Sequence, residues 1–188
     1  MTLKQTSLFH GSQVRLTSFR ADDAMEMLPW YEDADTLRKL DTDIAYPKTL
    51  NEIQAPDRLQ SRMPNGFQFA IRTLENDVLI GFIALHSIEW NNQTGLLAIG
   101  IGDPKYRRRG LGRDAIQVML RYAFHELNLN RVGLDVIEYN DAAIKTYEKA
   151  GFIIEGRMRS AVLRDGSSYD RIIMGLLRSE WEDKQNNQ

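Results

Sequence analysis

The chain has 188 residues, 43 % hydrophobic and 27 % charged, with a formal net charge of −2. This is the composition of one globular domain spanning residues 1–188 with a sizeable core, and its slight acidity argues against a general nucleic-acid binder, which needs a broad basic face. Without cysteine there can be no disulfide, thiolate nucleophile or cysteine-ligated metal. No run nears the roughly twenty apolar residues that span a membrane. The opening MTLKQTSLFHGSQVRL has no sustained apolar stretch of the export-signal kind, so a cytoplasmic protein is expected.

In chain order, QVRLTSF (13–19) alternates and reads as a first strand. A helix is expected over RADDAMEMLPWYEDADTLRKL, with Asp22 as N-cap and Met25, Leu28 and Trp30 on or near its apolar face. Pro29 should kink or divide it. YPKTLNEIQAPDRLQSRM suggests a second helix after Pro47, with Thr49 as cap and Glu52 completing a capping box. FQFAIRTL and DVLIGFIALHSIEW are strands joined at Glu75-Asn76-Asp77, and GLLAIGIG (95–102) is a third strand after the NNQT turn, completing an antiparallel meander.

The order then changes. Between Gly110 and Leu127 the residues Ile116, Met119, Leu120, Ala123 and Leu127 recur at helical steps. RVGLDVI alternates as a strand, and NDAAIKTYEKAG reads as a helix between an Asn140 cap and Gly151 at C′. The segment FIIEGRMRSAVLRDGSSYDRIIMGLL closes as two strands about Asp165-Gly166. The fold class is therefore α/β (α+β), a mixed, mostly antiparallel central sheet flanked by helices.

Charge is unevenly placed. Asp22, Asp23, Glu26, Glu32, Asp33, Asp35, Asp41 and Asp43 face only Arg38 and Lys39, whereas Arg107, Arg108, Arg109 and Arg113 surround Gly110 and Gly112. Two ligands of opposite sign would account for this asymmetry, as would a solvated helix face. The basic stretch lies between an apolar strand and a long helix. Unpaired N–H groups at a helix N-terminus bind anions, glycines let an anion approach them, and arginines supply further donors. That combination suits a diphosphate. Neither the P-loop pattern nor the dinucleotide pattern G-x-G-x-x-G is present.

Arg107-Arg108-Arg109-Gly110-Leu111-Gly112 resembles the R/Q-x-x-G-x-G/A pyrophosphate loop of the GNAT N-acetyltransferase family, and NDAAIKTYEKAGF (140–152) is similar to its N-x-x-A-x-x-x-Y-x-x-x-G-F segment. The resemblance covers about residues 67–177 and extends to the ribosomal-protein and spermidine acetyltransferase branches. It implies the acyl-CoA N-acyltransferase fold with acetyl-CoA as cofactor. Arg107 to Arg113, with Leu111 between the glycines, would then hold the pyrophosphate. A bulge at Ile99, Gly100 and Ile101 would pair with the pantetheine arm, which Asn140 would help hold. Tyr147 would protonate the leaving thiolate. Ala143 stands where the ribosomal branch often has serine, so no hydroxyl is expected there. The family's glutamate is absent from 95–102; Glu89 is the nearest acidic candidate for the base and His86 a second on the same strand.

These readings lead to direct acetyl transfer from acetyl-CoA to a primary amine, since no cysteine is available for an acyl-enzyme. A peptide or protein N-terminus is preferred as acceptor, with a polyamine as the alternative, because clustered carboxylates attract polycations. A non-catalytic acetyl-CoA sensor is a second alternative, motivated by the missing glutamate. RNA binding would need aromatic residues interleaved with the basic patch, and Tyr106 alone does not make one. Neither nucleic acid nor membrane is expected as a partner; a homodimer is allowed for.

Overall fold

The alternating segments form one continuous sheet. The computed structural model describes residues 7–55 and 59–186; the first six residues of the opening stretch and 56–58 of the expected second helix lie outside them. The strand β1 (Val14–Thr17) leads to α1 (Asp23–Met27), a 3-10 turn at Leu28–Tyr31, α2 (Ala34–Leu40) and α3 (Leu50–Ile53). Then come β2 (Arg62–Met63), β3 (Gly66–Thr73), β4 (Leu79–Glu89) and β5 (Thr94–Ile101). After these run α4 (Leu111–Arg121), β6 (Arg131–Ile137), α5 (Asp141–Ala150), β7 (Ile153–Arg164), β8 (Ser167–Leu177) and α6 (Arg178–Asn186). The strand order is β1-β3-β4-β5-β6-β8-β7, with β2 pairing β3. Only β5 and β6 are parallel among the described strands, since α4 connects them as a crossover.

Pro29 divides the first helical region as expected, sitting in the 3-10 turn between α1 and α2. Two local expectations are corrected. Asp22 makes no side-chain cap; its neighbour Asp23 instead accepts from the Arg20 N–H ahead of the helix at 2.7 Å and pairs with buried Arg72. Met25 is exposed rather than apolar-facing, because Ala24 and Met27 already fill the contact with the sheet. The Thr49–Glu52 capping box is present, but its helix is a single turn, and Arg62–Met63 is strand. The long helix also stops short of Leu127: Tyr122–Glu126 widens into a π turn, where the Tyr122 ring meets Phe9, Phe67 and Phe69 at centroid distances of 5.4–5.7 Å. The polar tail forms α6, anchored by buried Trp181 against Phe124 at 5.5 Å.

The two faces of the meander differ. Phe69, Ile71, Ile83, Leu85 and Leu97 point to the larger core, where Ile116, Met119 and Leu120 of α4 pack on them. The other face carries Ala70 opposite Phe82, Phe82 opposite Gly100, and Ala84 opposite Ala98. It is covered by α1–α3 through a smaller apolar cluster that includes Met27, Tyr31 and Ile53. Small residues on that side leave open space under the helices. The Asp114 carboxylate joins α4 to β1, accepting from Ser12 N at 2.9 Å, Ser12 Oγ at 3.0 Å, Gln13 N at 2.7 Å and Val14 N at 2.9 Å.

Candidate active site

The parallel pair holds for only three residues, Thr94–Leu96 against Arg131–Gly133. Past that point β5 stays with β4 as far as Ile101, while β6 stays with β8 as far as Ile137. The two strands therefore diverge, and among the described residues β5 from Leu97 to Ile101 has no strand partner on its β6 side. The bulge expected at Ile99–Ile101 is not there: Ile83↔Ile99, Phe82↔Gly100 and Gly81↔Ile101 are in regular register. The register breaks instead between His86 and Glu89 on β4, where Ser87 has φ 50°. Divergence of strands, not an inserted residue, frees the β5 backbone. Glycine at 102 reflects close approach, since a Cβ there would lie 1.9 Å from the Trp30 ring.

The loop after β5 begins with Asp103 capping a 3-10 turn at Pro104–Tyr106. Positive φ angles at Arg108 (59°) and Gly110 (82°) then swing the chain into α4, whose first turn has no side-chain cap. The N-terminal N–H groups of α4 therefore have no side-chain cap, and partial positive charge lies behind them. Arg108, Arg109 and Arg113 are exposed around this point, and Arg109 lies over the Tyr106 ring at 5.7 Å. Arg107 departs from the sequence expectation. Its Nε donates to the Ile101 carbonyl at 2.9 Å, and its Nη2 donates to the Gly102 carbonyl at 2.7 Å and to Thr36 Oγ1 at 2.8 Å. This side chain ties the end of β5 to α2, because the carbonyls of the diverging strand need donors that β6 does not supply.

The far end of α2 is held from the other side of the divergence. Arg38 makes a bidentate pair with Asp165 at 2.8 Å, and Tyr139 Oη donates to the Arg38 carbonyl at 2.5 Å. Asn140 caps α5 as expected, accepting from Ala143 N at 3.4 Å, but its amide also donates to the Lys39 carbonyl at 3.2 Å. That side chain is accordingly committed to α2 as well as to α5. Ala143 packs against the larger core.

Tyr147 is buried beside Phe152, ring to ring at 5.9 Å. Burial, and next the charge of Asp135, push its phenol upward. It therefore remains protonated, able to donate. Asp135 itself pairs with Arg171 at 2.8 Å. Glu89 does not belong to the site. It lies beyond the β4 bulge, opposite Thr94 at the closed end of the hairpin, six positions or about 20 Å from Gly100. There it is exposed and accepts from Asn92 at 2.5 Å. His86, opposite Leu96, is on the same side of β4 as Phe82 and Ala84. It is held below its ordinary value by burial, against the opposing charges of Asp135 and Asp41.

Under α1–α3 lies a cleft of about 800 Å³ counting its open mouth, floored by Gln68, Phe82 and Ala98. Its other lining residues with polar groups are Tyr31, Asp41 and Lys48. Asp41 belongs to the acidic run that the sequence offers as a polycation site, whereas Lys48, which follows a proline, carries a turn signal only. Three acids of the run around them are engaged within the protein. Asp23 is buried against Arg72, Asp33 caps α2 through Asp35 N and Thr36, and Asp35 pairs with Lys39 at 2.7 Å.

Comparison with known proteins agrees with this architecture. The acetyltransferase (GNAT) domain profile matches residues 13–153. An SPbeta prophage-derived N-acetyltransferase, YokL, of Bacillus subtilis is 28 % identical over 152 residues, covering 80 % of this chain and 82 % of that protein. The putative ribosomal N-acetyltransferase YdaF of the same organism is 30 % identical over 135 residues, covering 71 % of this chain and 72 % of the relative. In structure, spermidine N-acetyltransferase from Vibrio cholerae, solved with CoA and spermine, superposes with a TM-score of 0.80 at 23 % identity, over 91 % of this chain and 99 % of that one. With its diverging β5 and β6, its uncapped glycine-initiated helix and the profile match across most of its length, the chain belongs to the GNAT acetyltransferase family.

Proposed function

We propose that this acetyltransferase moves the acetyl group of acetyl-CoA directly to a primary amine, the α-amine of a peptide or protein N-terminus. The observation that carries the reading is that a strand edge without a β6 partner, Leu97–Ile101, leads through the 102–110 loop into an uncapped, arginine-flanked helix start. A pyrophosphate suits the α4 N-terminus with Arg108, Arg109 and Arg113. An extended pantetheine arm with two amides suits the free edge of β5, as a peptide suits a sheet edge. Aminolysis then forms an N–C bond and breaks the C–S bond. The proton lost from the amine goes to a base, and the thiolate takes one from the Tyr147 phenol. His86, neutral and on the cleft side of β4, is the base on this reading. Holding both reactants in one water-poor site supplies much of the acceleration.

The acceptor enters through the cleft under α1–α3, across the sheet from α4. Release of free CoA thiol from acetyl-CoA with an unblocked peptide, and with spermidine beside it, tests the function. Turnover with the peptide supports it. Saturable acetyl-CoA binding with no transfer to either amine favours a sensor instead.

A further inference from the structure

The acceptor cleft is mostly apolar, with Gln68, Tyr31 and one charge of each sign among its lining. Met27, Tyr31, Ile53 and Phe82 line it, and the first three are buried core residues. Asp41 follows α2, with Oδ1 accepting from the Asp43 N–H at 3.1 Å. Lys48 holds its ammonium 4.7 Å from the Tyr31 ring centre. A linear polyamine would bring several ammonium groups to a lining with one carboxylate and one cation, and its intervening charges would be desolvated against apolar walls. Asp41 is the one acid of the 22–43 run among the described lining residues, and Asp23, Asp33 and Asp35 of that run are engaged within the protein.

Resting on the transferase reading above, we infer that the acceptor is an α-amine carried on an apolar residue, either a free amino acid or the first residue of a peptide. Its side chain packs against Met27, Tyr31 and Phe82, and its amine lies on the Asp41 side of the cleft. Lys48 faces the acceptor's carboxylate or first carbonyl and disfavours a second cation. Ala98 connects this cleft to the free edge of β5, two residues before Gly100 on the same side of the strand.

The test compares kcat/KM for glycinamide, leucinamide, leucine, a leucine-initiated dipeptide and spermidine with the full chain, alongside calorimetric acetyl-CoA binding. Leucinamide should exceed glycinamide by at least about tenfold, the discrimination an apolar pocket gives for added methylenes, and should exceed spermidine. Preference for leucine over leucinamide assigns a free amino acid; preference for the dipeptide assigns a chain terminus. Asp41→Asn, which keeps an acceptor for the Asp43 N–H, should raise KM for leucinamide and leave acetyl-CoA affinity unchanged. Lys48→Gln should improve spermidine relative to leucinamide. Spermidine as best acceptor, or glycinamide equal to leucinamide, overturns the inference while leaving the transferase standing. Acetyl-CoA binding with no turnover on any of the five removes both.

Discussion

Arg107 offers the sharpest separation between a phosphate ligand and a structural tie. Replacing it by Met keeps an apolar stem and removes three hydrogen bonds, to Ile101 O, Gly102 O and Thr36 Oγ1. Hydrogen bonds from a charged donor are worth about 1.5–3 kcal/mol each. Arg107 is half-buried and water can replace part of the loss, so the expected destabilisation is about 3 kcal/mol. For a chain of this size that corresponds to a fall in Tm of about 6–12 °C. If Arg107 is a tie, acetyl-CoA affinity measured well below Tm should change by less than about threefold. A lost contact to phosphate would instead cost about 10- to 150-fold, the same 1.5–3 kcal/mol appearing in binding. Calorimetric titration and thermal unfolding of wild type, Arg107→Met and Arg109→Gln separate the two. Arg109→Gln should show the opposite pattern, weaker binding with an unchanged Tm. Affinity reduced more than tenfold in Arg107→Met with Tm within about 2 °C of wild type would refute the reasoning.

Tyr147→Phe should lower kcat by about 10²-fold or more and leave acetyl-CoA affinity within about twofold, because the ring still fills its place beside Phe152; unchanged kcat excludes the phenol as proton donor. Arg72→Met strands the buried Asp23 carboxylate and should cost about 3–5 kcal/mol in denaturant unfolding, with Asp23→Leu in the same chain recovering part of it. A loss below about 1 kcal/mol would remove the pair's structural role. Asp77 is pulled down from 3.8 to about 2 by the guanidiniums of Arg15 and Arg20. A depressed folded-state carboxylate stabilises the fold above its unfolded value and loses that contribution as pH falls through its folded one. The stability gap between wild type and Asp77→Asn should therefore be constant above about pH 5 and close as pH falls through 2 towards about 1; a gap that does not narrow over that range would show another origin.

Patterns that act over a few residues were enough to assign the β3–β4–β5 meander, the β6 strand, α5 between Asn140 and Gly151, and the β7–β8 hairpin. Period-2 alternation, caps and the Asp165-Gly166 turn are short-range physics, and each agrees with the tertiary fold. The glycine–arginine loop was legible for the same reason: an anion site at a helix start is a local object. Tertiary packing decided the rest. Whether a β5 carbonyl has a strand partner depends on where β6 goes, so the free edge came from divergence and not from the expected bulge. The same missing partner accounts for the bonds from Arg107 to the Ile101 and Gly102 carbonyls, which its place in the motif did not imply. Glu89 and His86 are neighbours in sequence, yet the Ser87 bulge leaves one at the hairpin's closed end and the other opposite Leu96. Acidic residues that read as one patch were divided into a buried ion pair, a helix cap and a cleft wall. Sequence determines which groups a chain has and how each short segment bends; their available valences depend on neighbours brought from a hundred residues away, as Asn140 and Lys39 are.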